Sequence, residues 1–189
     1  MTAPSPQDAH PLADTLAKIY RERKLAGPIL EIAGGNGRNT RRLVSAGFTV
    51  LTTQDDEPYT QLPGGRGTFA AALSTHAYLH GAVAKLRLGL AELRRALAPD
   101  APIAITLGSI RDARFGYGEA FDENTYAPGD GDEVGIPHAY FDRDGATELL
   151  KTGFTLDSLE ERNVDAIVGR WAHDEPIEMW HWFVIARSR

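Results

Sequence analysis

The stretch that decides the fold runs from Ile29 to Gly37 and reads ILEIAGGNG. Its first four residues have the short, mainly apolar character of a buried strand, and a glycine-rich turn follows at once. Residues 38–46 are predicted as a helix that Gly47 ends. Glycines let a backbone approach a ligand closely, and a helix start presents free N–H groups. The turn is therefore a candidate nucleoside-binding site.

Helices and strands are predicted to alternate on both sides of this stretch. A helix covers residues 11–24, and strands cover 48–53, 69–73 and 103–107. An amphipathic helix lies between the last two, with apolar positions three or four apart at Val83, Leu86, Leu90, Leu93 and Leu97. Because parallel strands need crossover connections, this order predicts an α/β fold with helices on both faces of a mostly parallel sheet.

The final third of the chain is different. A short helix is predicted at residues 144–151, followed by strands near 154–161 and 180–186. These two strands are close in sequence, so we expect an antiparallel hairpin at the end of the sheet.

Composition limits the class of protein. The 189 residues are 42% hydrophobic, which suits one domain over residues 1–189 with a flexible end at 1–10. A net charge of -6 gives no support for binding nucleic acid or an anionic membrane, so small molecules or proteins are the expected partners. The absence of cysteine excludes disulfides and thiolate sites. No run approaches the roughly 20 apolar residues of a membrane span, and residues 1–10 do not resemble a secretion signal, so a cytoplasmic protein is expected.

The segment from Glu31 to Gly37 resembles the first motif of class I S-adenosylmethionine-dependent methyltransferases. Glu31, Gly35 and Gly37 match that motif, and Ala33 stands where a first glycine is usual. The resemblance covers about residues 25–108, including residues 37–40 and 73–76.

This resemblance implies a Rossmann-like fold, S-adenosylmethionine as cofactor and methyl transfer to a small molecule. Carried onto this sequence, the implied cofactor-binding residues are Glu31, Ala33, Gly34, Gly35, Gly37, Gln54, Asp55, Asp56, Ser74 and Thr75.

A dinucleotide-binding enzyme is the rival interpretation of the glycine turn. That fingerprint is G-x-G-x-x-G, whereas the segment starting at Gly35 reads GNGRNT and ends in Thr40. The predicted terminal hairpin also favours the methyltransferase.

The second strand departs from the methyltransferase pattern at its end. The family usually has an acidic residue there, whose carboxylate can accept hydrogen bonds from both ribose hydroxyls. Gln54 holds that register, with Asp55 and Asp56 directly after it. A shift of one residue would let Asp55 make the contact; the alternative is a solvated acidic turn.

The connection from Thr53 to Phe69 is too short for the family's usual helix and third strand. Only 15 residues separate the two positions, which at full extension span roughly 50 Å. We therefore expect the third strand to be missing and the second to form an edge. Tyr59 could then pack against the adenine, or a partner subunit of a homodimer could cover the edge. The shortening also leaves open a non-catalytic protein that keeps the fold for binding or regulation.

Candidate chemistry follows the strand at residues 69–73. Methyl transfer requires the acceptor to be positioned and, for a hydroxyl or amine, a proton to be removed. His76 is the candidate base. The alternative is that His76 and His80 pack beneath the next helix or cap it, which is the favoured interpretation for His80.

The segment 108–141 exceeds ordinary connection lengths and is a candidate lid or substrate loop. Its candidate acceptor-binding residues are Arg111, Arg114, Tyr117, His138 and Tyr140. The alternative is a solvated turn at Asp130, Asp132 and Glu133 with which the arginines pair. Because this acidic run lacks the ligand spacing of a calcium loop, no metal is expected.

Aromatic residues and histidines are concentrated near the C-terminus, at Trp171, His173, Trp180, His181 and Trp182. Strand alternation places Trp180, Trp182 and Val184 on one face and His181, Phe183 and Ile185 on the other. Core or dimer contacts are the expected role for most of them.

Overall fold

The computed structural model describes residues 8–131, 133–164 and 178–189. The helices are α1 (Pro11–Glu22), α2 (Arg38–Ser45), α3 (Val83–Ala96) and α4 (Arg143–Leu150), with a 3-10 turn at Ala77–Leu79. The strands are β1 (Ile29–Glu31), β2 (Val50–Thr52), β3 (Ala71–Ser74), β4 (Pro102–Ser109), β5 (Glu119–Asp122), β6 (Thr125–Ala127), β7 (His138–Phe141), β8 (Phe154–Asn163) and β9 (Trp180–Ser188). No helix in these ranges has the length and apolar character needed to cross a membrane.

The main sheet is parallel at one end and antiparallel at the other. Strands β2, β1, β3 and β4 lie side by side in that order and run parallel. Strand β9 then pairs antiparallel with β4, and β8 pairs antiparallel with β9. Both the Rossmann-like α/β class and the C-terminal hairpin are confirmed.

The connection after β2 contains no further strand. Residues 53–70 hold neither a helix nor a strand, and within the described ranges β2 pairs with β1 alone. The prediction of a missing third strand and an edge at β2 is confirmed.

Helices cover both faces of the sheet, as predicted. One apolar cluster contains residues of α1 together with Leu43 and Phe183. The other contains residues of α3 and α4 together with Trp182 and Val184. The alternation predicted for β9 is confirmed, since neighbouring residues of this strand join opposite clusters.

The segment predicted as a long loop carries secondary structure of its own. Strands β5, β6 and β7 form a small antiparallel sheet, and the end of β4 pairs in parallel with β7, Gly108 opposite Tyr140. A Cβ atom on Gly108 would lie 2.5 Å from the carbonyl oxygen of Ala139, so glycine permits this approach. Strands of three or four residues are too short to reveal a period of two in sequence.

The N-terminal end is anchored from His10 onward. His10 is 1% exposed, its N–H donates to Asn39 Oδ1 at 2.8 Å, and its Nδ1 accepts from the N–H of Leu12 at 3.2 Å. This side chain caps α1, so the expectation of a flexible end does not hold for His10.

Candidate functional site

The end of β1 is tied to the start of α2 by a buried carboxylate. Glu31 is 1% exposed and accepts a hydrogen bond from the Thr40 hydroxyl. Burial raises the pKa of Glu31, and its hydrogen bonds oppose that shift. The Thr40 hydroxyl also lies 2.8 Å from that of Thr52, so one polar cluster joins β1, α2 and β2.

The glycine turn between β1 and α2 uses the left-handed backbone region repeatedly. The φ angles are +53° at Ala33, +53° at Gly35 and +74° at Gly37. Gly34 is needed for a different reason, since a Cβ atom there would lie 2.3 Å from Cγ2 of Thr52. Ala33 therefore occupies a conformation that favours glycine.

Asp55 is the acidic residue that meets this turn. Its Oδ1 accepts a hydrogen bond from the N–H of Gly35 at 3.0 Å. Gln54, Asp55 and Asp56 are all exposed, and the N–H of Gln54 donates to Glu57 at 3.0 Å. Asp55 is thus the residue of this exposed acidic turn that contacts the glycine turn.

The next strand, β3, ends in two buried hydroxyl residues. Ser74 is fully buried and Thr75 is 8% exposed. Thr75 Oγ1 accepts from the side-chain amide of Asn39 at 3.2 Å, which links the end of β3 to α2. The residues that follow Thr75 lead into a second site.

That second site is a small internal cavity, which we call the histidine cavity. Its volume is about 30 Å³, and it is lined by His10, Thr75, His76, Leu79, Arg114, Glu133, His138, Val164, Met179 and His181. Four histidines, an arginine and a carboxylate thus face one space.

Glu133 lies at the centre of the charged groups. Its Oε1 is 3.1 Å from His80 Nε2 and 3.6 Å from His76 Nε2. Its Oε2 is 3.1 Å from both Arg114 Nη1 and His138 Nε2. The rings of His76 and His80 stand edge to face at 4.4 Å, so the histidines surround the carboxylate.

Arg114 is held in turn by Asp112, whose side chain is completely buried. Asp112 Oδ1 accepts from Arg114 Nε at 3.0 Å, and Oδ2 accepts from the N–H of Trp180 at 3.0 Å. This aspartate connects the segment after β4 to the start of β9.

Comparisons with known proteins show the fold and leave the family undecided. No family model matches the chain, and no curated protein is significantly similar to it. A S-adenosylmethionine-dependent methyltransferase structure from Methanosarcina mazei is similar with a TM-score of 0.73 and 14% identity, over 95% of this chain and 98% of that one. The chain has the class I methyltransferase fold.

Two further structures with the methyltransferase fold show the range of its chemistry. The 1,6-didemethyltoxoflavin N1-methyltransferase of Burkholderia thailandensis, solved with 1,6-didemethyltoxoflavin and S-adenosylhomocysteine, has a TM-score of 0.67 and 16% identity, over 95% of this chain and 79% of that one. A (4+2) cyclase has a TM-score of 0.57 and 14% identity, over 93% of this chain and 80% of that one.

Both parts of the site lie at the carboxyl ends of parallel strands, where open α/β sheets bind ligands. The glycine turn follows β1 and Asp55 follows β2. His76 follows β3 and Arg114 follows β4. The methyltransferase fold therefore brings the turn and the histidine cavity to one rim of the sheet.

Burial and neighbouring charge control ionisation in the cavity. Burial alone would raise the pKa of Glu133, but the surrounding histidines hold that pKa well below the usual carboxyl range. Burial lowers the pKa of His80, and it lowers the pKa of His10 and of His181 to about 3. At neutral pH the site therefore combines an ionised Glu133 with neutral imidazoles at His10 and His181.

The structure separates the five residues predicted to bind the acceptor. Arg114 and His138 line the cavity, and the Tyr140 ring is buried with its centre 6.5 Å from that of His138. Arg111 instead pairs with Glu161 at 3.1 Å and lies 3.6 Å from the Trp180 ring centre. Tyr117 is exposed and donates to Asp130 at 2.9 Å.

Sequence reasoning missed the central position of Glu133 and the contributions of His10, His80 and His181. The only available signal was the four-residue spacing from His76 to His80. The alternative in which arginines pair with the acidic turn holds for Arg114 and Glu133. Trp171, His173 and Asp132 lie outside the described residues.

Tyr59 does not lie where its ring could stack on an adenine. Its side chain is 6% exposed, its hydroxyl donates to the carbonyl of His80 at 2.6 Å, and its ring packs on Tyr78 at 5.2 Å. A Cβ atom on Gly89 would lie 2.3 Å from this ring. The ring has no open face for an adenine, so the hypothesis that Tyr59 stacks on the base is wrong.

Proposed function

We propose that this protein transfers a methyl group from S-adenosylmethionine to a small-molecule acceptor at the histidine cavity. One observation carries the proposal. A glycine turn with an acidic partner and a cavity of titratable groups lie at the same rim of a sheet with the methyltransferase fold. We keep homodimer formation over the β2 edge as part of this proposal.

The glycine turn and Asp55 would hold the cofactor. Asp55 already lies against the turn through Gly35, and one carboxylate can accept hydrogen bonds from both ribose hydroxyls. Ala33, Gly34, Gly35 and Gly37 would bring the backbone close to the ligand. Glu31 is too deeply buried for extensive contact with the cofactor. We therefore assign it the role of positioning α2 through Thr40.

His76 would act as the base on the acceptor side. The acceptor's oxygen, nitrogen or sulfur attacks the methyl carbon in line, the carbon–sulfonium bond breaks, and S-adenosylhomocysteine leaves. The acceptor's proton passes to Nε2 of His76, whose resulting charge is stabilised by Glu133 at 3.6 Å. The His76 side chain is 35% exposed, more than the other cavity histidines.

The size of the cavity requires the covering segment to move. A space of about 30 Å³ holds a water or two, whereas sites for organic ligands measure roughly 300–1,000 Å³. Glu133 belongs to the segment between β6 and β7 that closes the cavity. We propose that residues 108–141 include a lid that lifts to admit the acceptor.

Cofactor binding can be tested by calorimetry with S-adenosylhomocysteine. Loss of a charged hydrogen-bond acceptor costs about 1.5–3 kcal/mol, so Asp55→Ala should weaken binding roughly tenfold to a hundredfold. Asp56→Ala is the matched control and should bind like wild type. No heat and no thermal shift with wild type at millimolar ligand would contradict the proposal.

Transfer can be tested with labelled S-adenosylmethionine and a metabolite extract. Wild type should label a small product, and His76→Ala should lower the rate by about 10²–10⁴-fold with unchanged affinity for S-adenosylhomocysteine. His10→Asn, at a residue of the cavity that has no assigned role in proton transfer, is the control. Binding without transfer across broad extracts would instead indicate a binding or regulatory protein.

A further inference from the structure

Two cavity residues, His76 and Glu133, lie beside His80 with their possible metal-ligand atoms close together. Atoms of His76, His80 and Glu133 that can bind a metal all lie within 4.8 Å of one another. Glu133 Oε1 is 3.1 Å from His80 Nε2 and 3.6 Å from His76 Nε2. The three residues come from two separate segments that only the tertiary structure brings together.

The two separations from Glu133 Oε1 are close to those in a coordination sphere. Zinc binds imidazole nitrogen and carboxylate oxygen at about 2.0–2.2 Å in tetrahedral sites, which places neighbouring ligand atoms about 3.3 Å apart. The two measured distances lie on either side of that value. Two histidines and a glutamate with a fourth position open is also a ligand set that catalytic zinc sites use.

The second oxygen of Glu133 is held by other residues. Arg114 Nη1 and His138 Nε2 each lie 3.1 Å from Oε2, so Oε1 alone is directed at His76 and His80. Hydrogen bonding to the distant oxygen orients a ligating carboxylate. Asp112 fixes Arg114 in this position.

His138 is the second residue that fixes this carboxylate. Its Nδ1 donates to the carbonyl oxygen of Ile136 at 2.7 Å, and its Nε2 lies 3.1 Å from Glu133 Oε2. The residue is 3% exposed, so its ring is held in place beside Glu133.

We propose that His76, His80 and Glu133 bind a divalent transition-metal ion of the zinc class, with its open position facing the histidine cavity. A cavity of about 30 Å³ has room for an ion with one water while the covering segment stays closed. The acidic run at residues 130–133 lacks the ligand spacing of a calcium loop, whereas the ligands proposed here come from two segments distant in sequence. Metal binding and the assignment of His76 as the base are alternatives for the same nitrogen.

The first experiment measures the metal alone on the full chain without an affinity tag. After dialysis against a chelator, Zn²⁺ is titrated by calorimetry and Co²⁺ by visible absorption. We expect one ion per chain, the absorption bands of tetrahedral Co²⁺, and a rise in melting temperature that a chelator reverses. Absence of these bands and of stoichiometric Zn²⁺ binding would overturn the proposal.

The second experiment assigns the ligands with matched variants. Changes to groups that merely orient a ligand weaken metal binding about 10–100-fold, so Glu133→Gln and His80→Gln should each weaken Zn²⁺ binding by at least about a hundredfold. His10→Asn changes a histidine of the same cavity outside the ligand set and should bind Zn²⁺ like wild type. Equal loss in His10→Asn, or full binding in Glu133→Gln, would overturn the assignment.

Folding and cofactor binding are measured on the same variants. Circular dichroism and S-adenosylhomocysteine calorimetry on chelator-treated protein show whether the fold and the cofactor site persist. Loss of Zn²⁺ binding with intact S-adenosylhomocysteine binding supports the metal site. Because the metal is measured without cofactor, failure of this proposal is distinguishable from failure of the methyltransferase proposal.

Discussion

The two halves of the candidate site are built in different ways. The glycine turn and Asp55 are close in sequence and meet through the backbone N–H of Gly35. The histidine cavity takes side chains from six separated parts of the chain, from His10 to His181. A site made of local backbone tolerates most side-chain changes, whereas a site made of buried titratable groups depends on each partner and on pH.

The largest loss of stability should come from replacing Asp112, which holds Arg114 at the histidine cavity. Asp112→Ala removes the buried carboxylate that pairs with Arg114, 16% exposed in its side chain, and accepts from the N–H of Trp180; Arg114 keeps its contact with Glu133. Breaking a buried ion pair on one side costs about 3 kcal/mol or more, which lowers the melting temperature by roughly 6–12 °C in a chain of this size. Thermal unfolding by circular dichroism measures this change.

Asp130→Ala is the control for that experiment, because Asp130 pairs with the exposed Tyr117. Its effect should stay within about 0.5 kcal/mol. Equal destabilisation by Asp112→Ala and Asp130→Ala would show that the cavity contributes no more to stability than the surface of the same segment.

The next effect is a pH dependence carried by His10. Burial lowers its pKa from 6.5 to about 3, and its Nδ1 must keep a lone pair to cap α1. Below pH 6.5 the unfolded chain binds a proton that the folded chain does not, so stability falls with pH from 6.5 towards 3. The loss reaches about 2 kcal/mol at pH 5.

His10→Asn tests this assignment, because asparagine caps helices and does not titrate. Urea unfolding between pH 7 and 5 should give a shallower decline in the free energy of unfolding for the variant than for wild type. Parallel declines would show that His10 does not carry the effect.

A smaller loss of stability is expected from Tyr59, which joins the connection after β2 to His80. Tyr59→Phe removes the hydrogen bond to the His80 carbonyl, 2.6 Å long, at a cost of about 1 kcal/mol. Affinity for S-adenosylhomocysteine should stay unchanged, because the Tyr59 ring is buried away from the turn. Tyr117→Phe, at an exposed tyrosine, is the control for thermal unfolding. If Tyr59→Phe bound S-adenosylhomocysteine more weakly and Tyr117→Phe did not, Tyr59 would have a role at the adenine after all.

The smallest effect is a gain of stability in the glycine turn. Ala33 has a φ of +53°, which costs an L-residue about 1–2 kcal/mol, while glycine adds about 0.5–1 kcal/mol of chain entropy. Ala33→Gly should therefore stabilise the protein by about 0.5 kcal/mol. Urea unfolding beside Ala17→Gly, which lies inside α1 and should destabilise, checks the sign.

The elements that could be predicted from sequence are those whose signal is local. The turn from Ala33 to Gly37, the leucine spacing of α3 and the alternation in β9 are confirmed. The short strands β5 to β7 were not predicted, since three or four residues carry too little pattern. His76, Arg114 and His138 were predicted as site residues without their common centre, because Glu133 has no local feature that separates it from a solvated turn.

The sequence by itself determined the order of strands and helices, the glycine turn and the absent third strand. Each of these follows from steric preference, hydrophobic period or the reach of 15 residues between Thr53 and Phe69. Only the tertiary structure decided that four histidines, Arg114 and Glu133 face one cavity. Their ionisation depends on burial and on partners distant in sequence, and these exist once the sheet has paired and its covering segment has packed.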